Sequence, residues 1–183
     1  MNANNRKKRR FLIAAAVLFL AAAFLPAQRK GLLFPPGWVE WKKNEILCTE
    51  PQEPDSVTLR ARRVAIRKDG ESVWQSDKKT PVQSVLWADI DRDGENELLL
   101  LCWKRGRYGQ NRPFWVKRDE ITWSQHIYIY DWTGEEIKPI WMASDISLEA
   151  VSWQFDEENR LRIIDRTGRT SAWDWRTWGL SLI

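Results

Sequence analysis

The run Asp-Ile-Asp-Arg-Asp-Gly-Glu-Asn-Glu, from Asp89 to Glu97, places three carboxylates at alternate positions before a glycine and a fourth at the ninth place. Calcium and similar hard cations take six to eight oxygen ligands at about 2.3–2.6 Å. Asp89, Asp91, Asp93 and Glu97 offer side-chain oxygens, the Glu95 carbonyl falls at the seventh position, and Gly94 allows the turn. An EF-hand is excluded, because its twelfth position needs a bidentate Glu and holds Leu100 here. The competing reading is a solvated acidic turn with no ion. Transition-metal chemistry finds few ligands: the chain has one histidine, His126, and two cysteines, Cys48 and Cys102, that form no Cys-x-x-Cys pair. Those cysteines either bridge, if the chain is exported, or Cys102 is a buried strand thiol at the end of the run Leu-Leu-Leu-Leu-Cys.

A second concentration of chemistry follows at once. Between Trp103 and Arg118 lie Lys104, Arg105, Arg107, Arg112, Lys117 and Arg118 without an acid, interleaved with Trp103, Tyr108, Phe114 and Trp115. Guanidinium groups and aromatic faces together stack on sugars and hold phosphates or carboxylates. This segment, through Trp103, Lys104, Arg105, Arg107, Tyr108, Arg112, Trp115, Lys117 and Arg118, is the expected site for an anionic polymer or a protein partner. The alternative is a solvated loop whose aromatics pack on a sheet. No catalytic residue is assigned: the chain has no Gly-x-Ser-x-Gly elbow, no phosphate-binding glycine loop and no His-Glu-x-x-His. A glycan-acting enzyme would need a carboxylate pair such as Asp119 with Glu120, or Asp131 with Glu135, at a separation that only geometry can supply.

These residues must be carried by strands. Short β-rich runs alternate with Asp-Gly and Thr-Gly turns from Ser56 to Trp175, and no long helical stripe interrupts them. The stretch from Val64 corresponds to the stretch from Ile127, pairing Gly70 with Gly134, Trp74 with Trp141 and, further on, Asp93 with Asp156. A repeat of roughly 60 residues with about four strands is similar to a propeller blade. The expected fold is all-β, a small domain of about two blade-like antiparallel sheets over residues 61–183, behind a linker and leading segment over 28–60. Trp173 and Trp175 alternate on one strand face, as core or as an aromatic platform.

Around Ser84 to Leu101 the chain resembles the FG-GAP or VCBS-type repeat of integrin-like propellers, in which an Asp-x-Asp-x-Asp-Gly-x-x-Asp/Glu loop joins two strands of a blade and binds calcium. The resemblance extends loosely over Val64 to Ile164. It implies Asp89, Asp91, Asp93 and Glu97 as side-chain ligands, Glu95 as the backbone ligand, and a calcium ion that stabilises the fold. The second copy keeps Asp156 but has Trp153 and Phe155 where the other acids would stand, so it is expected to be metal-free. The Phe-Gly and Gly-Ala-Pro phrases of the family are absent.

Charge and composition bound the partners. Of 29 basic residues, Arg6, Lys7, Lys8, Arg9 and Arg10 hold five, and the remainder of the chain balances 25 acids to a net −1. That argues against nucleic acid, which calls for a basic face. The basic cluster precedes fifteen uninterrupted apolar residues, Phe11 to Leu25, in the order of a secretory signal or membrane anchor over residues 1–27. Both readings, cleaved signal and anchor helix held in the membrane by residues 11–25, place the body outside the cytoplasmic membrane. The expectation is a membrane-anchored or secreted, non-enzymatic module with structural calcium, recognising an envelope polymer or protein. The alternatives are an accessory subunit that completes its sheet with another chain, and an envelope glycan-acting enzyme. Thirteen tryptophans remain the compositional anomaly.

Overall fold

The computed structural model describes residues 12–19, 22, 24, 26, 28, 32–108, 113–143 and 146–183. Arg112, the Arg6–Arg10 cluster and part of the apolar N-terminal run lie outside the described residues. Residues 12–19 are helical. Among the described residues no helix is long and apolar enough to cross a membrane.

The body is built from twelve strands in three four-stranded antiparallel sheets, each a simple meander. The first holds β1 (Asn44–Leu47), β2 (Ser56–Arg60), β3 (Arg63–Lys68) and β4 (Glu71–Gln75). The second holds β5 (Val82–Ala88), β6 (Glu97–Arg105), β7 (Trp123–Trp132) and β8 (Ile137–Met142). The third holds β9 (Ala150–Phe155), β10 (Leu161–Asp165), β11 (Thr170–Arg176) and β12 (Gly179–Leu182). The all-β expectation agrees with this architecture, but the number of sheets is three, not two. Residues 44–60, placed by sequence in a leading segment, supply β1 and β2. Pro139 sits on β8, an edge strand, where the missing N–H costs no ladder bond.

The second sheet is the middle layer, and its sequence explains why. A strand covered on one side alternates apolar and polar residues, whereas β6 is buried from Glu97 through Trp103. Leu98, Leu100 and Cys102 pack against Val57, Leu59, Val64 and Ile66 of the first sheet. Leu99 and Leu101 pack with Ile127 and Ile129 against Ala150, Trp153, Leu161, Ile163 and Leu180 of the third. A register shift between Val82 and Ser84 lets Val82 and Val85, three residues apart, share the first-sheet face. Cys102 is fully buried, Cys48 is partly buried on the same core, and both are free thiols.

The tryptophans join layers. An indole contributes a large apolar body and one N–H that needs an acceptor. Trp87 donates to Glu53 Oε1 (2.8 Å) and Trp132 to the Gln52 carbonyl (2.8 Å), tying the second sheet to the β1–β2 loop. Trp153 donates to Ser84 Oγ (2.9 Å), tying the third sheet to the second. Beside it Gln125 acts as a substitute strand: its Nε2 donates to the Ala150 carbonyl (2.8 Å) and its Oε1 accepts the Ala150 N–H (2.6 Å). Trp173 and Trp175 are partly buried against the core shared with the second sheet, while Trp178 is exposed.

Candidate functional site

The acidic run forms the β5–β6 connection. Its backbone is turned by its own carboxylates: Asp89 accepts the Arg92 N–H (2.7 Å) and the Gly94 N–H (3.1 Å), and Asp93 accepts the Glu95 N–H (2.8 Å). Gly94 has φ +95°, a region that carries no steric penalty only without a Cβ. Carboxylate oxygens of Asp89, Asp91 and Glu97 come within 4.8 Å of one another, a spacing at which they could hold a metal ion. Asp93 is outside this triad and caps the turn instead. The expected set of Asp89, Asp91, Asp93, Glu95 and Glu97 is therefore gathered in one loop, with three carboxylates converging.

Glu97 begins β6 and is 1% exposed. Its Oε2 accepts the Ile90 N–H at 2.8 Å. Burial pushes its carboxyl up to about 8 against that hydrogen bond, and the charges of Asp91, Asp93 and Asp89 push the same way. Asp91 is raised for the same reasons, burial first and then Asp93, Asp89 and Asp131. Sequence reasoning did not connect Asp131, on β7, with this loop. Arg92, the cation within the run, turns its guanidinium to Asp174 on β11 (2.7 Å) and leaves the acids unneutralised.

The corresponding connection of the third sheet, β9–β10, carries the opposite solution. Asp156 receives Arg160 Nε (3.0 Å), Arg162 Nε (2.7 Å), and the backbone N–H groups of Glu158 and Arg160. These hydrogen bonds and guanidinium charges outweigh desolvation and hold its carboxyl well below the usual range. The loops touch, since Asn159 Nδ2 donates to the Asp89 carbonyl at 2.5 Å.

The basic aromatic segment divides on inspection. Trp103 departs from the expectation: it is 3% exposed, donates to Gln83 Oε1 (2.8 Å) and stacks edge-on against Trp38. It belongs to the core because β6 extends through it, buried on both faces. Lys104 donates to the Tyr108 carbonyl (3.3 Å), and Arg105 donates to the Leu32 carbonyl while lying over the Trp123 ring. Arg107 and Tyr108 are half-buried, and their backbone N–H groups are held by Asp119 at 2.9 and 3.2 Å. Gly106, φ +81°, is required beneath this clamp, because a Cβ there would stand 2.5 Å from Asp119 Oδ2 and 2.8 Å from the Glu120 carbonyl. Beyond the clamp Phe114 and Trp115 stack on one another, 94% and 70% exposed, next to exposed Lys117 and Arg118. Asp119 thus holds the loop's backbone.

A cavity of about 510 Å³ opens between the β4–β5 loop and the first-sheet face of the second sheet, lined by Asp77, Lys79, Thr80, Lys104, Arg105, Tyr128 and Tyr130 among others. Of these, only Lys104 and Arg105 were expected at a site. The alternation of Tyr128 and Tyr130 in β7 was the available signal, since it puts two phenols on one face. Comparison of the chain with protein-family models, with curated proteins and with solved structures finds no match.

Proposed function

We propose that this chain is an exported or membrane-anchored, non-enzymatic β module. A structural calcium ion in the β5–β6 loop supports its fold, and the loop after β6 recognises an anionic envelope polymer or a protein partner. The observation that carries the recognition reading is the exposed Phe114–Trp115 pair beside Lys117 and Arg118, on a segment whose base is pinned by Asp119. Exposed stacked aromatics bury area on binding at little conformational cost when their backbone is already held. Support for calcium comes from the converging Asp89, Asp91 and Glu97 oxygens, while the nearby Arg92 guanidinium turns away to Asp174. The FG-GAP or VCBS-type reading is supported by the position of this loop, between the first and second strands of a four-stranded meander. The fifteen-residue apolar run supports export or anchoring.

The test is binding of the full chain, purified in detergent, to polygalacturonate and to polyglutamate at two salt concentrations, beside a Phe114→Ala/Trp115→Ala variant. Salt-sensitive binding that falls about tenfold or more in the variant is expected, from two aromatic anchors. Binding that is unchanged in the variant overturns the role of the loop.

A second reading, an accessory subunit that continues its sheet into another chain, is favoured by one feature. Edge strand β12 has Leu182 exposed, with Trp178 and Ile183 exposed at its two ends, and its outer edge pairs with no strand among the described residues.

A further inference from the structure

The cavity between the β4–β5 loop and the second sheet combines features that a simple packing defect lacks. Its floor is apolar, from Val82 and Leu100, and its walls carry two phenols, a carboxylate, the hydroxyls of Ser76 and Thr80, and three cationic side chains. Its volume lies within the roughly 300–1,000 Å³ of ordinary small-ligand sites. Tyr128 is 9% exposed, yet its hydroxyl makes no hydrogen bond among the described residues, and neither does that of Tyr130. A buried phenol normally finds a partner for its O–H. Neither hydroxyl is sealed from solvent, because no closed-off side-chain polar atom lacks a partner. Both phenol groups therefore reach the cavity they line, and their rings contact neighbouring aromatic rings, Trp74 at 5.3 Å from Tyr130 and His126 at 6.0 Å from Tyr128. Burial pushes both phenols up, so they remain donors at any physiological pH. Lys79 is exposed at the rim and its ammonium has no ion pair among the described residues. With Lys104 and Arg105 it sets three positive charges against the single Asp77.

We propose that this cavity binds an acidic sugar unit, a uronate-type ring. The tyrosine faces would take its C–H surface, the phenol hydroxyls, Thr80 and Asp77 its hydroxyl groups, and Lys79 with Lys104 its carboxylate. The inference shares Lys104 and Arg105 with the recognition reading above and rests on it to that extent. The exposed tip at Phe114 and Trp115 plays no part in it.

The test is calorimetric titration of the full chain in detergent with tetragalacturonate, with neutral galactotetraose and with inorganic phosphate. The variants are Tyr128→Phe/Tyr130→Phe, Lys79→Gln and Phe114→Ala/Trp115→Ala. Tetragalacturonate is expected to bind, the neutral oligosaccharide at least about tenfold more weakly and phosphate not measurably. The double Tyr→Phe variant keeps both rings in the core and should lose about tenfold, the worth of one or two hydrogen bonds. Lys79→Gln, at an exposed position, should lose several-fold with no change in melting temperature. Loss in the tyrosine variant alone supports the cavity and counts against the loop tip. Loss in the tip variant alone overturns the cavity and supports the loop. Loss in both supports a polymer that occupies the cavity and crosses the tip. Equal affinity for the neutral oligosaccharide, binding of phosphate alone, or no binding of tetragalacturonate overturns the proposal.

Discussion

The β5–β6 and β9–β10 loops occupy the same place in neighbouring sheets and face the same electrostatic problem in different ways. In the third sheet Asp156 is answered from within the chain, by Arg160 and Arg162. In the second, Asp89, Asp91 and Glu97 converge while the nearby Arg92 is drawn off to Asp174. One loop is closed by its own cations, and the other is left with a charge that a small cation from solution would balance. Carboxylate density alone does not mark an ion site: what separates the two loops is where the nearest guanidinium goes.

The largest expected effect follows directly. Calcium at about 100 times its Kd should stabilise the chain by about 2.7 kcal/mol, roughly 5–10 °C in melting temperature for a chain of this size. Asp91→Ala should abolish that response. Asp93→Ala should retain part of it, because Asp93 caps the Glu95 N–H rather than joining the triad. Thermal unfolding with calcium and with a chelator measures both, and equal loss in the two variants would put Asp93 among the ligands. A parent protein indifferent to calcium would reduce the contrast between the loops to one of packing.

Asp156→Asn should lower the melting temperature by a few degrees whether or not calcium is present, since it leaves Arg160 and Arg162 facing each other without their shared acceptor. The complementary change, Arg160→Gln/Arg162→Gln made in the Asp91→Ala background, should restore no calcium response, because Trp153 and Phe155 supply no oxygen side chains beside Asp156. A calcium-dependent rise in that combined variant would show that Asp156, freed of its guanidinium partners, suffices with the other groups of its own loop.

The loops should also respond to pH with opposite signs. Glu97 is held protonated in the folded, metal-free chain up to about 8, while the unfolded chain releases that proton near the ordinary value of 4.5. Its contribution therefore falls as pH rises through that interval in chelator. Asp156 is depressed, so its contribution is present above the ordinary value of 3.8 and is lost as pH falls below it. Denaturant titrations in chelator from pH 3 to 9 should show a decline between pH 4.5 and about 8 that Glu97→Gln flattens, and a loss below pH 3.8 that Asp156→Asn flattens. A decline unchanged by Glu97→Gln would assign it elsewhere.

What sequence made legible follows the range of the interactions. The acidic loop could be read because its residues lie within nine positions and its turn is made by its own side chains. Strand character was readable from alternation, but the full extent of the first sheet was not, since β1 is four residues long and β2 follows Pro51 and Pro54. The cavity was hidden because Asp77 and Lys79 meet Tyr128 and Tyr130 only through the stacking of two sheets. Trp103 misled for a related reason: in a run of charge it reads as surface, whereas this middle-layer strand buries both faces through Trp103 and emerges only at Lys104 and Arg105.

The smallest effect tests whether the loops are independent at all. Asn159 adopts φ +57°, a left-handed conformation that Asn tolerates and Gly prefers, and from there its amide reaches the Asp89 carbonyl. Asn159→Gly keeps the backbone geometry and removes only that bond, so the metal-free chain should lose about 0.5–1.5 kcal/mol at most, offset in part by relief at the left-handed position. Asp89 is an oxygen donor of the triad, and its backbone is steadied by the neighbouring sheet. Loosening it should therefore weaken calcium more than it weakens the fold, as a several-fold rise in Kd by calorimetry. If calcium affinity is unchanged in Asn159→Gly, the acidic loop is organised entirely by its own turn, and the self-neutralised loop beside it is a neighbour rather than a support.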